Sequence, residues 1–149
     1  MSRGDIYLLV SASLSLFLGA LVYIFLRNTP THFEELIAVY IDIPVYALPV
    51  GFAKQEELRL FLNSYAADAL WMFSFTTGLY LLLNGSSGLD RVAKAFFYSL
   101  MFGIFSESLQ YFGVVSGTFD WFDILIFIVT ALFAAILCLI VQIKEQHHA

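Results

Sequence analysis

Residues 121–143 read WFDILIFIVTALFAAILCLIVQI, and this run determines the class of fold that the sequence predicts. It contains a single charged residue, Asp123, and its apolar residues follow one another without the alternation typical of a half-buried strand. An α-helix needs about 20 apolar residues to cross the hydrocarbon core of a bilayer. The run therefore predicts a membrane-spanning helix that begins near Trp121.

Three further apolar runs precede it, at residues 6–26, 65–83 and 92–114. Of the 149 residues, 60% are hydrophobic and 13% are charged, whereas soluble domains carry about 25% charged residues. Helices and closed β-barrels are the two structures that satisfy all backbone hydrogen-bonding groups in lipid. Continuous apolar runs favour helices, because the strands of a barrel alternate apolar and polar residues. The predicted fold class is therefore all-α: a polytopic helical membrane bundle with four transmembrane helices, forming a single membrane domain over residues 1–149.

The connection between the first two spans, residues 28–61, is too apolar for a simple polar loop. Thr31 and Glu34 match a capping box that starts a short helix, and Pro44 and Pro49 interrupt the apolar stretch that follows. We predict a partly helical, extracytoplasmic connection that is interfacial or re-entrant. A spanning segment is the alternative, and it would invert the orientation of every later span.

Basic residues near the span ends predict the orientation of the bundle. With four spans, one side carries four Lys or Arg residues, and the other side carries three among several acidic residues. By the positive-inside rule, the first side is cytoplasmic and both termini lie there. The chain has no basic stripe of the kind that binds nucleic acid. Because its spans are apolar, membrane lipids are the predicted partners. The first side has Arg3, Arg91, Lys94 and Lys144; the second has Arg27, Lys54 and Arg59.

Five polar residues are predicted to converge at the extracytoplasmic ends of the spans. Asp68 starts the second span, Glu107 and Gln110 lie in the last turns of the third, and Asp120 and Asp123 start the fourth. A carboxylate at the centre of a span costs about 2.5–3.5 kcal/mol, so it is seldom kept without a partner or a role. The candidate catalytic residues are Glu107 and Asp123. The candidate substrate-binding residues are Gln110, Asp120 and Asp68.

Each acid also has a purely structural interpretation. Asp120 can cap the fourth helix, and Asp123 can complement its dipole. Glu107 can form an interhelical hydrogen bond as a protonated acid, while Asp68 lies near the interface, where solvation is cheap. No cofactor and no set of metal-ligand residues is predicted. A divalent cation held by Asp120 and Asp123 is one candidate ligand.

The order of these residues resembles that of a known family. E-x-x-Q at Glu107 and Gln110, a glycine-containing turn and D-x-x-D at Asp120 and Asp123 resemble the pattern of VanZ-like membrane proteins. The resemblance covers residues 65–143. The named member of that family is associated with resistance to the glycopeptide antibiotic teicoplanin, so the resemblance implies a bacterial cell envelope location more than a mechanism.

The chain departs from the family pattern at several positions. Asp68 stands in place of Asn in an upstream element, Thr118 stands where the family usually has Arg, and Phe127 stands where it tends to have Asn. Loss of the Arg removes the obvious counter-charge for the acids. The sequence thus resembles a divergent member of the family.

Three functions are compatible with the sequence, and whether the protein is an enzyme stays open. The preferred one is a small VanZ-like envelope protein whose acidic crevice binds an envelope lipid or a glycopeptide-related amphiphile. The second is a non-enzymatic subunit or scaffold whose acids lock helices together or dock a partner membrane protein. The third is a small proton-coupled transporter, which is disfavoured because acidic residues are lacking through the inner half of the bundle and no inverted repeat is visible.

Overall fold

The computed structural model describes residues 2–26, 65–83, 88–115 and 119–148, and these ranges contain helices and no strand. The prediction of an all-α fold is confirmed for this part of the chain. The predicted connection at residues 28–61 lies outside the described residues. The four helices are α1 (Arg3–Leu26), α2 (Ala67–Leu82), α3 (Gly88–Tyr111) and α4 (Trp121–His148).

Consecutive helices run antiparallel, and α2 and α4 each contact the other three helices. Gly19 of α1 faces Trp71 of α2 so closely that a Cβ on the glycine would lie 2.9 Å from the Trp71 ring. Thr76 of α2 donates a hydrogen bond to Ser99 of α3 (2.8 Å). The N-termini of α2 and α4 therefore share one end of the bundle with the C-terminus of α3.

Glycine ends α3 by a Schellman motif. Gly113 has a φ of 67° and donates to the carbonyl oxygen of Gln110 (3.0 Å), while Val114 donates to that of Leu109 (2.9 Å). A positive φ at this position suits glycine because it has no Cβ. This turn leaves Gln110 in the last turn of α3.

An apolar layer, formed by Met72, Gly103, Phe127 and Ala131, crosses the interior between the two ends. Met72, Phe127 and Ala131 form one buried cluster. A Cβ on Gly103 would lie 2.7 Å from Met72 Cε and 2.8 Å from Phe127 Cδ2. The phenyl ring of Phe127 therefore packs against the bare backbone of α3, and this contact requires glycine.

Polar contacts close the opposite end of the bundle. The Arg91 guanidinium lies 4.0 Å from the centre of the Tyr80 ring and donates to the carbonyl oxygens of Tyr80 and Leu81, which end α2. The Gly4 amide donates to Glu145 Oε1 (2.8 Å), which joins the start of α1 to the end of α4. At this end, charged groups bind carbonyl and amide groups that helix termini leave unpaired.

The outer faces of all four helices are strongly apolar. Large side chains such as Tyr7 (74% exposed), Phe17 (60%), Phe105 (60%) and Phe133 (56%) point away from the bundle. Within the described residues, two helical segments are long and apolar enough to cross a membrane, Arg3–Val22 and Trp121–Gln146.

The other two helices differ from these in length or composition. α2 has 16 residues, and at 1.5 Å per residue it is about 24 Å long, which is shorter than a hydrocarbon core. α3 has 24 residues, but Asp90, Arg91, Lys94 and Glu107 reduce its apolar length. Within the described residues, two helices thus have the length and composition of a span, where the sequence predicts four.

Candidate functional site

The five polar residues predicted to converge do lie at one end of the bundle, hereafter called the acidic end. The Asp123 carboxyl group interacts electrostatically with those of Asp68, Glu107 and Asp120. Gln110 donates from Nε2 to Glu107 Oε1 (2.9 Å). Acids from three helices thus lie close together in the structure. The catalytic and binding roles of these residues stay predictions.

Glu107 is the most deeply buried of the acids, with 3% of its surface exposed. Its Oε1 accepts the bond from Gln110, and the backbone amide of Asp120 lies beside the carboxyl group. Its Oε2 is closed to solvent and has no hydrogen-bond partner among the described residues. Leaving a buried acceptor unpaired costs about 1–3 kcal/mol, and more for a charged group.

One other buried side-chain atom in the described part of the chain also lacks a partner, the Thr77 hydroxyl oxygen. It lies beside the thiol of Cys138, which is a weak hydrogen-bond partner. The Cys138 thiol thus partly compensates for the missing hydrogen bond of the Thr77 hydroxyl group. Glu107 Oε2 has none, so it is the unpaired atom that needs an explanation.

Asp120 caps α4, which agrees with its structural interpretation. Its Oδ1 accepts a hydrogen bond from the Phe122 amide (2.9 Å), and its carbonyl oxygen accepts one from the Asp123 amide (3.2 Å). These bonds satisfy donors that the first turn of a helix leaves unpaired. Its other carboxyl oxygen, Oδ2, accepts a bond from the Tyr65 hydroxyl (3.2 Å).

Tyr65 belongs to the acidic end, and the sequence prediction missed it. Its ring packs against Phe122 with 6.2 Å between ring centroids, while its hydroxyl group reaches Asp120. The available signal was its position at the start of the second predicted span, where aromatic residues with a polar group are common. Tyr65 therefore connects the acids to the surface between α2 and α4.

An apolar groove of about 280 Å³ lies on that surface and starts at Tyr65. It is open on one side, and residues of α4 from the second and third turns form its other wall. Tyr65 has its ring in the groove and its hydroxyl group on an acid. The groove is therefore continuous with the acidic end. Its lining consists of Tyr65, Ala66, Ala69, Leu125, Ile126, Val129 and Thr130.

The basic residues whose side chains the structure describes lie away from the acidic end. They are found at or near the N-termini of α1 and α3 and in the last turns of α4, at the opposite end: Arg3, Arg91, Lys94 and Lys144. Within the described ranges, no group of three or more His, Cys, Asp or Glu side chains is arranged to hold a metal ion. The divalent cation considered from the sequence thus gains no support. Arg59 and Thr118 lie outside the described residues.

Comparison with protein-family models, with curated proteins and with solved structures gives no match to this chain. The resemblance to VanZ-like proteins therefore stays a prediction that rests on Glu107, Gln110, Asp120 and Asp123. Any function must be argued from the chemistry of the acidic end itself.

Proposed function

We propose that the protein is a small, multi-pass, VanZ-like protein of the bacterial cell membrane, with both termini in the cytoplasm. In this proposal all four helices cross the bilayer, and the acidic end lies at the extracytoplasmic interface. There it binds the polar head of an envelope amphiphile, with Glu107 and Asp123 as the principal contacts. The observation that carries the proposal is the buried carboxyl group of Glu107, whose Oε2 has no partner in the described part of the chain.

The apolar outer surface supports the membrane location. Soluble monomers rarely expose continuous apolar patches larger than a few hundred Å², whereas here aromatic and aliphatic side chains cover the outside of each helix. Lipid is the solvent in which such a surface has no cost. Trp121 and Tyr111, which are 74% and 68% exposed, lie near the acidic end, where the interface would run.

The position of the acids supports a ligand site at the interface. A carboxyl group kept among three other acids loses hydration and gains repulsion, so the arrangement costs stability in the absence of a ligand. Proteins accept such costs mainly at functional sites. The head group of a membrane amphiphile lies at the depth where Asp120 starts α4.

The scaffold alternative explains part of the acidic end. Asp120 caps α4, and its bond to Tyr65 ties the start of α2 to that of α4. Gln110 and Glu107, however, lie on the same helix, so their hydrogen bond does not join two helices. A locking role accounts for Asp120 and for its backbone amide beside the Glu107 carboxyl group, but it leaves Glu107 Oε2 without a partner among the described residues.

The apolar layer lies across the path that a transported proton would take through the bundle. A proton that reached Glu107 would need polar groups or water to continue along the bundle. The next buried polar groups towards the other end are Thr76 and Ser99, and Met72 and Phe127 fill the space before them. This layer disfavours a proton path through the interior.

A complementation experiment tests the proposed site. The protein is removed from its host, and the host's sensitivity to teicoplanin is measured after variants are returned. We expect Glu107→Gln and Asp123→Asn to fail while they accumulate in the membrane and melt like the wild type. Asp90→Asn, a matched change at the opposite end, should complement fully. If either site variant does not accumulate or melts early, the scaffold function is favoured instead.

A reporter fusion tests the topology independently. A phosphatase that is active only outside the cytoplasm is inserted after Val115, beside the acidic end, or after Ala149. We expect activity at the first position and none at the second. The reverse pattern would place the acidic end in the cytoplasm and contradict the proposed orientation.

A further inference from the structure

The unpaired oxygen of Glu107 specifies what kind of head group the site can accept. Glu107 Oε2 is buried and has no hydrogen-bond partner among the described residues. A ligand that compensates for its burial must bring a hydrogen-bond donor. The surrounding carboxyl groups of Asp68, Asp120 and Asp123 favour a donor that carries a positive charge.

We infer that the site binds an amphiphile with a primary ammonium head group and one alkyl chain, the ammonium meeting Glu107 and Asp123 and the chain lying in the groove. This inference rests on the proposed function and names its ligand class. A primary ammonium carries three N–H donors and no acceptor, so every contact with a carboxylate oxygen is favourable. A phosphate or sulfate head group would instead add negative charge to four acids.

A metal ion is a poorer candidate for the same position. Metal sites need several ligands at fixed distances, and the described acids include no group of three that is arranged in this way. An ammonium group on a flexible chain tolerates wider spacing, because each N–H can bind a different carboxyl group.

The groove fits a single alkyl chain in size and position. Its volume of about 280 Å³ is slightly below the about 300–1,000 Å³ usual for small-molecule sites, so it suits one chain and is too small for a glycopeptide scaffold. It runs from Tyr65 along α4 to Val129 and Thr130. A chain there would extend towards the bilayer centre while its head group stayed with the acids.

Binding of dodecyl probes to the purified protein in nonionic micelles tests the inference. Thermal unfolding is followed at neutral pH with rising dodecylamine, with dodecyltrimethylammonium, which has the charge but no N–H, and with neutral dodecanol. We expect dodecylamine to raise Tm at the lowest concentration. In Glu107→Gln its apparent affinity should fall about tenfold, the size expected for losing one hydrogen bond to a charged group, and Asp90→Asn should match the wild type.

A second pair of variants tests the position of the chain. Val129→Trp fills the groove and should weaken the binding of all dodecyl probes, whereas Leu132→Trp changes an exposed residue of α4 outside the groove lining and should not. Equal effects of the two substitutions would contradict the groove as the chain site.

The outcomes separate this inference from the proposed function. If dodecylamine binds no better than both other probes, or if Glu107→Gln keeps the full preference, the ammonium inference is wrong. Binding of all three probes with loss in Glu107→Gln would still support an amphiphile site. If no probe binds and no variant changes the melting curve with probe, both proposals fail.

Discussion

The two ends of the bundle use charge in opposite ways. At the end opposite the acidic end, Arg91 binds the carbonyl oxygens that end α2, and Glu145 accepts a hydrogen bond from the first turn of α1. At the acidic end, Glu107 is buried beside Asp123 and has one carboxyl oxygen unpaired within the described residues. The charges at the end with Arg91 all join helices. At the acidic end Asp120 also joins two helices, but Glu107 carries a cost that, in the proposed function, a ligand would remove.

The largest loss of stability is expected from removing the cation that closes the opposite end. Arg91→Met loses the guanidinium bonds to two carbonyl oxygens and the contact with the Tyr80 ring. Hydrogen bonds to charged groups contribute about 1.5–3 kcal/mol, so unfolding free energy should fall by about that amount. Chemical unfolding in nonionic micelles measures it. Lys94→Met, which breaks an exposed ion pair, is the control and should change less. Equal effects would contradict a special role for Arg91.

Gly103→Ala tests the apolar layer that separates the two ends. Its new Cβ would lie within 3 Å of Met72 and Phe127, and overpacking of this kind costs about 1–3 kcal/mol. Gly78→Ala, on the neighbouring helix, is the matched control because nothing lies within 4 Å of its added Cβ. Alanine is the better helix former, so Gly78→Ala should be neutral or slightly stabilising. The same loss in both variants would show that helix propensity, and not the layer, determines the effect.

Asp120 allows the structural role of an acid to be separated from its charge. Asp120→Ala removes the cap of α4 and should cost about 1 kcal/mol. Asp120→Asn keeps an oxygen that can accept from the Phe122 amide, so its melting temperature should stay close to that of the wild type. If Asp120→Asn melts as early as Asp120→Ala, the charge itself stabilises the acidic end, and the contrast between the ends is lost.

The sequence predicted the helices well because continuous apolar runs give a strong signal. A helix covers most of each predicted span, and the convergence of Glu107, Asp120 and Asp123 followed from counting turns from the span ends. The packing between helices was beyond the sequence. Phe127 contacts Gly103 from another helix. Arg91 counts towards the predicted orientation as a basic residue near a span end, and its guanidinium lies over the Tyr80 ring. Contacts of this kind depend on helix rotation, which hydropathy does not specify.

The acidic end was predicted less completely than the helices. The sequence predicts Tyr65 only as the first residue of a span, and its hydroxyl contact with Asp120 depends on how α2 packs beside α4. The burial of Glu107 also could not be predicted, because an acid in the last turns of a span can face either lipid or the bundle. The separation of structural from functional acids needed the hydrogen-bond partners of each carboxyl oxygen.

The most direct test of a ligand site at the acidic end is the melting temperature of Glu107→Gln without added amphiphile, measured beside that of Asp90→Asn. If the wild-type carboxyl group is kept for a ligand, the neutral amide of Gln should leave Tm unchanged or raise it. The reason is that the substitution removes an acid that is buried and repelled by its neighbours. A clear fall in Tm, larger than that of Asp90→Asn, would mean that Glu107 stabilises the fold and would contradict the site.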